Sequence, residues 1–528
     1  MTAAPARGLS RVRLSPIAGL AACAALVVAL PLAGVVLAAL GTETADIAGR
    51  DVARYAITSA WLALLVGTAT AVVGTIAAWL VVMYRFPGRG LFAWALALPL
   101  AAPAFALAYG YADLLDVAGP LRTALRGATG QDLPFEPRSI GGAAFILSAA
   151  FYPYVYLAMR AAFINQSAGA LEAARMLGCG GLGALRRVAL PMARPALAAG
   201  VALAVMETLA DYGAVQFLSV QTLTTGVVRA WSVYGSTVSA ARFALPLLLA
   251  AALLLWLERA GRKGRTHEGG KARWRAIDSQ PLGPVQRWAA SAFCLFLLAA
   301  GLLVPIGWLI WNLGQTSPDW PRLAGAMRTS LSLGAAGALV TVALATMLAL
   351  GTRNLPLAGR IASLGYATPG AVMAIGLLAP AGVIWTIAPG SGAAIAVTLL
   401  ILAYAARLMA AALEPIDAGL ARVTPSMRHA ARTLGRGETG AALAVDLPVA
   451  RGTMLTAGLI VFVDILKELP ATLILRPFDF DTLAVIANNY ALDERLGQAG
   501  LPSLLIVLLA TPAVIWLTGR VARARPGA

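Results

Sequence analysis

Charged side chains are scarce in this chain: Asp, Glu, Lys and Arg make up only 12% of its 528 residues, whereas hydrophobic residues make up 59%. Soluble globular proteins carry about a quarter charged residues, so the composition excludes that class. Together with a mean hydropathy of +0.78, it predicts an integral membrane protein that crosses the bilayer several times. Cysteine is also rare. Cys23, Cys179 and Cys294 lack metal-ligand spacing and predict no disulfide framework.

Patterns for catalysis and nucleotide binding are missing as well. The sequence has no GxxxxGK motif followed by Ser or Thr, the loop that would cradle phosphates. Its two histidines, His267 and His429, lie in predicted cytoplasmic segments without a Ser or Cys nucleophile pattern nearby. We therefore expect no enzyme activity and no cofactor, and we assign no metal ligand. The net charge of +17 is scattered between apolar runs, which indicates basic cytoplasmic loops and no nucleic-acid site.

Twelve apolar stretches are each long enough to cross a bilayer as a helix, which takes about 20 residues. Helices are favoured because lipid offers no partner for backbone polar groups. The predicted spans are 17–40, 56–83, 91–112, 140–162, 196–218, 242–258, 288–312, 329–350, 361–386, 391–413, 452–475 and 500–519. The first is longer than the apolar core of a cleaved signal peptide, so we predict a retained helix. Pro103 and Pro369 interrupt the third and ninth spans.

Basic residues are concentrated in alternate loops, which predicts the orientation of the chain. The segment 258–287 alone holds eight Lys or Arg residues. Because basic loops stay on the cytoplasmic side, we expect this segment and both termini to be cytoplasmic. It is predicted to be a linker between a first lobe, 1–257, and a second lobe, 288–528. We expect the linker to be solvated, with contact to lipid headgroups as the alternative.

The chain contains an internal repeat. Residues 172–194 and 429–451 are identical at 13 of 23 positions without a gap, at an offset of 257. The offset continues forward, where Glu207 aligns with Asp464 and Asp211 with Glu468. Since six spans separate the copies, the halves have the same orientation, as in transporters built from parallel repeats.

Each copy of the repeated segment predicts a helical hairpin at the cytoplasmic surface. In the first copy, apolar residues recur at helical spacing, Gly178 stops the helix as a left-handed C-cap, and Pro191 marks the entry to the next span. An ordinary amphipathic interfacial helix is the alternative, but it does not explain why glycines and proline recur in register.

The hairpin pattern resembles the EAA loop of ABC importer permeases. The first copy carries it in Glu172, Ala173, Ala174, Gly178, Leu190 and Pro191, and the second in His429, Ala430, Ala431, Gly435, Leu447 and Pro448. The resemblance implies a type I importer permease, all-α, with about twelve transmembrane helices in two homologous six-helix halves. It also implies that the two loops dock on a separate ATP-binding subunit, expected as a dimer, which hydrolyses the ATP. His429 departs from the usual Glu of this motif.

Ionisable residues in two aligned spans are candidates for a transport pathway. Glu207 and Asp211 lie four apart, on one predicted helical face of the fifth span, and Asp464, Lys467 and Glu468 lie in the eleventh. Such residues are costly in a membrane and often functional. Carboxylates on a shared path would suit a hard cation. Alternatively, they make ion pairs and hydrogen bonds that hold helices together.

Two segments resemble ferric iron ABC permeases: Glu207 to Val215, and Asp464 through Phe478 to Ala484. This resemblance implies a bacterial inner membrane protein to which a periplasmic substrate-binding protein delivers Fe(III), bare or chelated. Import of thiamine, a polyamine or another small solute by the same architecture is the runner-up. A secondary transporter would also have repeated halves but would not need docking loops, and a membrane-embedded enzyme is the most distant alternative.

Overall fold

The computed structural model describes residues 16–42, 49–132, 134–166, 168–262, 279–314, 316–351, 356–387 and 391–523. Within these ranges the chain is helical apart from its connections and two short strands, β1 (Tyr84–Arg85) and β2 (Gln280–Pro281), which pair in parallel. The first half contains α1 (Pro16–Ala39), α2 (Gly49–Met83), α3 (Arg89–Ala95), α4 (Ala104–Leu115), α5 (Pro120–Thr129), α6 (Ile140–Asn165), α7 (Ala168–Met176), α8 (Gly181–Ala184), α9 (Leu190–Ala210), α10 (Gly213–Phe217), α11 (Leu223–Ser232) and α12 (Thr237–Arg262).

The second half repeats this order of elements. It contains α13 (Pro284–Leu298), α14 (Val304–Leu313), α15 (Trp320–Gly351), α16 (Pro356–Ala367), α17 (Gly370–Ile387), α18 (Gly392–Leu420), α19 (Pro425–Thr433), α20 (Glu438–Ala441), α21 (Leu447–Leu466), α22 (Pro470–Leu475), α23 (Leu483–Leu492) and α24 (Leu496–Arg523). A 3₁₀ turn covers Leu98–Ala101, and π-helical turns cover Leu185–Ala189, Ala299–Leu303 and Ala442–Asp446.

The predicted all-α, twelve-span architecture is confirmed. Ten helices of the described residues are long and apolar enough to cross a bilayer, and two bent helix pairs bring the number to twelve. The bent pairs are the two proline-interrupted spans, with angles of 91° at Pro103 and 110° at Pro369. Because proline disfavours the helical conformation of the residue before it, the first helix of each pair ends and a second begins in a new direction.

Two predicted spans are wrong at their ends. The spans 196–218 and 452–475 were expected to be unbroken, but α9 ends at Ala210 and α21 at Leu466. The chain then continues through the short helices α10 and α22. The apolar sequence runs on because these short helices are buried in protein, where irregular backbone is tolerated at membrane depth. Each span also begins earlier than predicted, since a π-helical turn joins it to the preceding hairpin.

The first helix of each half packs against the other half. Helix α1 lies along α15, α16 and α17, and α14 lies along α4. Both crossings use a glycine: Gly376 lies against the carbonyl oxygen of Pro31, and Gly110 lies beside Pro305. One hydrophobic core consequently runs through both halves, while large apolar side chains such as Leu249 and Leu339 remain exposed on the outer surface, as expected of lipid-facing helices.

The predicted linker 258–287 lies partly outside the described residues, which resume at Ser279. There the linker is attached to the turn that follows α2. The Ser279 hydroxyl accepts hydrogen bonds from Arg85 Nε and Arg89 Nη1, both at 3.0 Å. The end of the linker is therefore fixed to the first half, immediately before α13 begins the second.

Candidate docking hairpins and central pathway

The first docking hairpin consists of α7, a glycine turn and α8. The chain leaves α7 through Gly178, whose φ of 79° lies in the left-handed region. The amide of Cys179 donates to the Ala174 carbonyl at 3.0 Å, and the amide of Leu177 donates to Ala173 at 3.0 Å. This is the hydrogen-bond closure of a C-terminal glycine cap, so the predicted helix stop is confirmed.

The second docking hairpin, formed by α19 and α20, has the same backbone geometry. Gly435 has a φ of 81°. The amide of Arg436 donates to Ala431 at 3.1 Å, and the amide of Leu434 donates to Ala430 at 3.2 Å. The repeat therefore preserves a specific turn and not merely an apolar helix.

The predicted docking residues divide into an inner and an outer set. The inner alanines, Ala174 and Ala431, are buried, and α7 and α19 pack against α8, α20 and the π-helical turns of their own hairpins. The outer residues of the motif are exposed: Glu172, Ala173, Gly178, His429, Ala430 and Gly435. Leu190–Pro191 and Leu447–Pro448 form the first turns of α9 and α21. The hairpins thus present one face and connect directly to two spanning helices.

Large apolar side chains stand out at the hairpin tips. Met176 is 89% exposed, Leu177 is 85% exposed, and Leu434 in the second hairpin is 81% exposed. Leu182 and Leu443 are also exposed nearby. Large exposed apolar side chains grouped at one place are typical of a protein interaction site.

An ion pair that the sequence analysis missed braces the second hairpin. Arg428 donates to Asp446 Oδ1 from Nη2 at 2.6 Å and from Nε at 2.9 Å, and Asp446 is buried. One repeat earlier the same positions hold Leu171 and Ala189, both buried. An apolar contact has been exchanged for a charged one, and the paired substitution across the repeat was a signal that could have revealed it.

All five predicted pathway residues line one central cavity of about 70 Å³ between the halves. They are Glu207, Asp211, Asp464, Lys467 and Glu468. The cavity walls also include Phe105 and Tyr154, and the cavity is narrow, with room for only a handful of water molecules. The aligned positions of the repeat thus meet at one place.

Asp211 and Glu468 cap the short helices that follow the breaks. Asp211 Oδ1 accepts from the Val215 amide at 3.0 Å. Glu468 accepts from the amides of Ala471 at 3.0 Å and Thr472 at 3.1 Å. Asp211 is the C-cap of α9: its amide donates to the Glu207 carbonyl at 2.9 Å, and the chain leaves the helix after it, with a ψ of 135°. The Asp211 and Glu207 side chains line the same cavity. Capping of backbone amides explains why these two carboxylates occur at the break.

Lys467 forms an ion pair with Asp464. Its Nζ lies 2.9 Å from Asp464 Oδ1, and both side chains are about a quarter exposed, at 21% and 25%. The pair lies within one helical turn at the end of α21, and Glu207 of the first half also attracts the Lys467 ammonium group.

Arg407 of α18 is a cavity residue that the sequence analysis missed. Its Nη2 lies 3.7 Å from Glu207 Oε2, and its Nη1 lies 3.4 Å from Glu468 Oε1. Gly370 leaves room for this arrangement, since a Cβ there would collide with the Glu468 carboxylate. A signal was available, because an arginine within the apolar span 391–413 is costly and therefore suggestive of function.

The described residues contain no group of three or more His, Cys, Asp or Glu side chains arranged to hold a metal ion. The central carboxylates are dispersed and engaged with backbone amides or cations. Their arrangement can attract and pass a cation, but it does not form a closed coordination shell.

Residues 70–260 match the family described as binding-protein-dependent transport system inner membrane component. The Fe(3+)-transport system permease protein FbpB 2 of Haemophilus influenzae is 25% identical over 448 residues, which are 83% of this chain and 84% of that protein.

Two sulfate permeases match shorter segments. The sulfate transport system permease protein CysT of Salmonella typhimurium is 32% identical over 152 residues, covering 28% of this chain and 52% of that protein. The probable sulfate transport system permease protein cysT of Nephroselmis olivacea is 30% identical over 180 residues, covering 34% and 62%.

Proposed function

We propose that this chain, a multi-pass inner membrane permease of the binding-protein-dependent ABC importer class, carries ferric iron that a periplasmic binding protein delivers. The observation that carries this proposal is the central cavity, where carboxylates from both halves converge. Four carboxylates face two cationic side chains there, which leaves an excess of negative charge. Hard cations prefer oxygen ligands, so the cavity suits Fe(III).

The same cavity argues against an anionic cargo. Sulfate would be repelled by the excess of carboxylates, although two of the relatives are sulfate permeases. For iron over thiamine, a polyamine or another small solute, the supporting observation is the similarity to an Fe(3+)-transport permease over 83% of this chain.

The two docking hairpins are proposed to bind separate ATP-binding subunits, one hairpin to each subunit of a dimer. Their exposed apolar tips, Met176, Leu177 and Leu434, would enter a groove on that partner. Because each hairpin continues into α9 or α21, closure of the ATPase would move the helices that end at the central cavity. Both termini and the linker 258–287 are proposed to lie on the cytoplasmic side with the hairpins, and the linker to divide lobes 1–257 and 288–528.

Reconstitution provides the test of this function. The permease would be assembled with its ATP-binding subunits in proteoliposomes, and ATP hydrolysis would be measured with iron-loaded, sulfate-loaded and empty binding proteins. We expect stimulation by the iron-loaded protein together with uptake of radioactive iron. Stimulation by sulfate-loaded binding protein alone would overturn the choice of cargo while leaving the importer class intact. Hydrolysis that no binding protein stimulates would count against the proposed coupling.

A further inference from the structure

Both cations of the central cavity belong to the second half. At an offset of 257, the first half has Ala150 where the second has Arg407, and Ala210 where the second has Lys467. Both alanines line the same cavity. The repeat therefore brings equivalent positions together, but these positions hold alanine in the first half and a basic residue in the second. The carboxylates occur in both halves, whereas the counter-charges come from one.

The two cations are used in different ways. Lys467 forms its ion pair with Asp464, three residues away on its own chain segment, and Glu207 attracts it from the first half without an ion-pair contact. Arg407 instead bridges Glu207 of α9, in the first half, and Glu468, in the second. The Arg407 side chain is 15% exposed, that of Glu207 is 27% exposed and that of Glu468 is 1% exposed. The guanidinium therefore lies inside the cavity, between acids of opposite halves.

We propose that Arg407 is a tethered cation that closes the pathway, and that a cationic cargo has to displace it. The guanidinium holds the two carboxylates that an incoming cation would otherwise meet. The inference rests on the proposed function for the positive charge of the cargo, but it does not depend on which cation is carried.

Geometry explains why this contact acts as a gate. Of the two ion pairs, the one to Glu468 lies within the second half and the one to Glu207 crosses between the halves. Separation of the halves would break the crossing pair first and expose Glu207 to the cavity. A planar guanidinium can contact two carboxylates at once, so the same side chain can join the halves and later retreat to Glu468, where Gly370 provides the space.

The test uses the complete permease–ATPase complex in proteoliposomes loaded with dipicolinate, which becomes luminescent when Tb³⁺ enters. No ATP and no binding protein are present. Arg407→Gln should raise Tb³⁺ entry about tenfold, which corresponds to about 1.4 kcal/mol of lost preference for the closed state. Arg407→Lys should show a smaller increase, because lysine keeps the positive charge but lacks the planar guanidinium that can contact two carboxylates at once. Arg54→Gln, which alters an exposed ion pair at the start of α2, serves as the control.

The variant Glu207→Gln tests whether Arg407 acts as a gate or only as a packing contact. It removes the crossing pair while leaving Arg407 and Glu468 intact, so a gate predicts that it raises Tb³⁺ entry as Arg407→Gln does. The double variant should add nothing further. Wild-type entry rates in Glu207→Gln, with the protein assembled normally, would overturn the proposal, even if Arg407→Gln fails to fold.

Cargo and gate can be distinguished in the same preparation. If wild type imports no iron with any binding protein but both variants admit Tb³⁺, the cargo assignment fails and the gate stands. If wild type imports iron and neither variant changes Tb³⁺ entry, the cargo assignment stands and the gate is rejected.

Discussion

Gly376 lies directly against the carbonyl oxygen of Pro31, at the point where the first helix of one half crosses the broken span of the other. The related crossing places Gly110 beside Pro305, where an added Cβ would lie 2.8 Å from the carbonyl oxygen. At both places the backbones of two helices are in direct contact, so the first helix of each half packs tightly against the other half. The two halves are joined through these crossings as well as through the cavity.

Gly376→Ala should therefore destabilise the membrane domain. A methyl group there would collide with the α1 backbone, and overpacking of this kind typically costs about 1–3 kcal/mol. Gly382→Ala in the same helix is the matched control, since its Cβ would meet no atom within 4 Å in the described part of the chain. Thermal unfolding in detergent should show a lower midpoint for Gly376→Ala only. Equal midpoints for the two variants would argue against a tight crossing.

The glycine turns of the docking hairpins allow a comparison based on backbone conformation alone. Gly178→Ala and Gly180→Ala both place a methyl group in open space, but only Gly178 has a positive φ. The left-handed conformation costs a non-glycine residue about 1–2 kcal/mol. We expect Gly178→Ala to weaken ATP hydrolysis stimulated by the binding protein, and Gly178→Val to abolish transport while the protein stays folded in the membrane.

The corresponding Gly435 variants should be milder, because the first hairpin retains Glu172 where the second has His429. Gly180→Ala should behave like the wild type. Normal iron uptake in both Gly178→Val and Gly435→Val would reject the assignment of the hairpins as docking sites.

The ion pair of the second hairpin can be tested by restoring the chemistry of the first. Asp446→Ala should destabilise the hairpin by about 1–3 kcal/mol, because it leaves the partly buried Arg428 without its carboxylate. Arg428→Leu combined with Asp446→Ala recreates the pair Leu171 and Ala189, and it should recover most of that loss. Retention of the ATP-binding subunit during purification and thermal unfolding provide the measurements. A double variant as impaired as Asp446→Ala would show that the repeat positions are not interchangeable.

Neutralising the four central carboxylates should abolish iron uptake. The quadruple variant Glu207→Gln, Asp211→Asn, Asp464→Asn and Glu468→Gln keeps the shape of each side chain and one accepting oxygen, although Glu468→Gln loses one of its two backbone hydrogen bonds. Assembly with the ATPase is therefore measured beside uptake. Uptake of radioactive iron should fall at least about tenfold, the loss expected when interactions worth 1.4 kcal/mol or more are removed. Reduced membrane abundance instead would indicate that the acids hold helices together. Wild-type uptake would remove the pathway role altogether.

The orientation can be checked by cysteine labelling. In a background without Cys23, Cys179 and Cys294, a cysteine at Gly269 should resist a membrane-impermeant reagent applied to cells with a permeabilised outer membrane. It should react once the inner membrane is opened. Strong labelling from outside would reverse the topology derived from the basic loops.

Much of the architecture could be predicted because apolar run length and proline position act locally. The bends at Pro103 and Pro369 follow from the sequence alone. The ends of α9 and α21 could not be predicted from the sequence, because the apolar sequence continues beyond Ala210 and Leu466. It continues into short helices that only tertiary burial makes stable. The exchange of α1 between the halves depends on close crossings such as Gly376 with Pro31, and no local pattern encodes the partner.

The candidate site was predictable to the extent that the repeat exposed it. Aligned acids at an offset of 257 identified the residues around the cavity, because equivalent positions of two parallel halves meet near their common axis. Arg407 lay where the repeat has an alanine, so symmetry pointed away from it. Similarly, Arg428 and Asp446 replace apolar residues of the first copy. The repeat therefore identified what the halves share and concealed what makes them different.

The π-helical turns at Leu185–Ala189 and Ala442–Asp446 make each docking hairpin continuous with its spanning helix, from Gly181 to Ala210 and from Glu438 to Leu466. At 1.5 Å per residue, each forms a rod about 45 Å long. Rotation of such a rod by about 5° around its cytoplasmic end displaces the far end by about 4 Å. That displacement is as large as the 3.7 Å between Arg407 Nη2 and Glu207 Oε2, so a small tilt of either rod at its hairpin end would be enough to break this contact at the cavity.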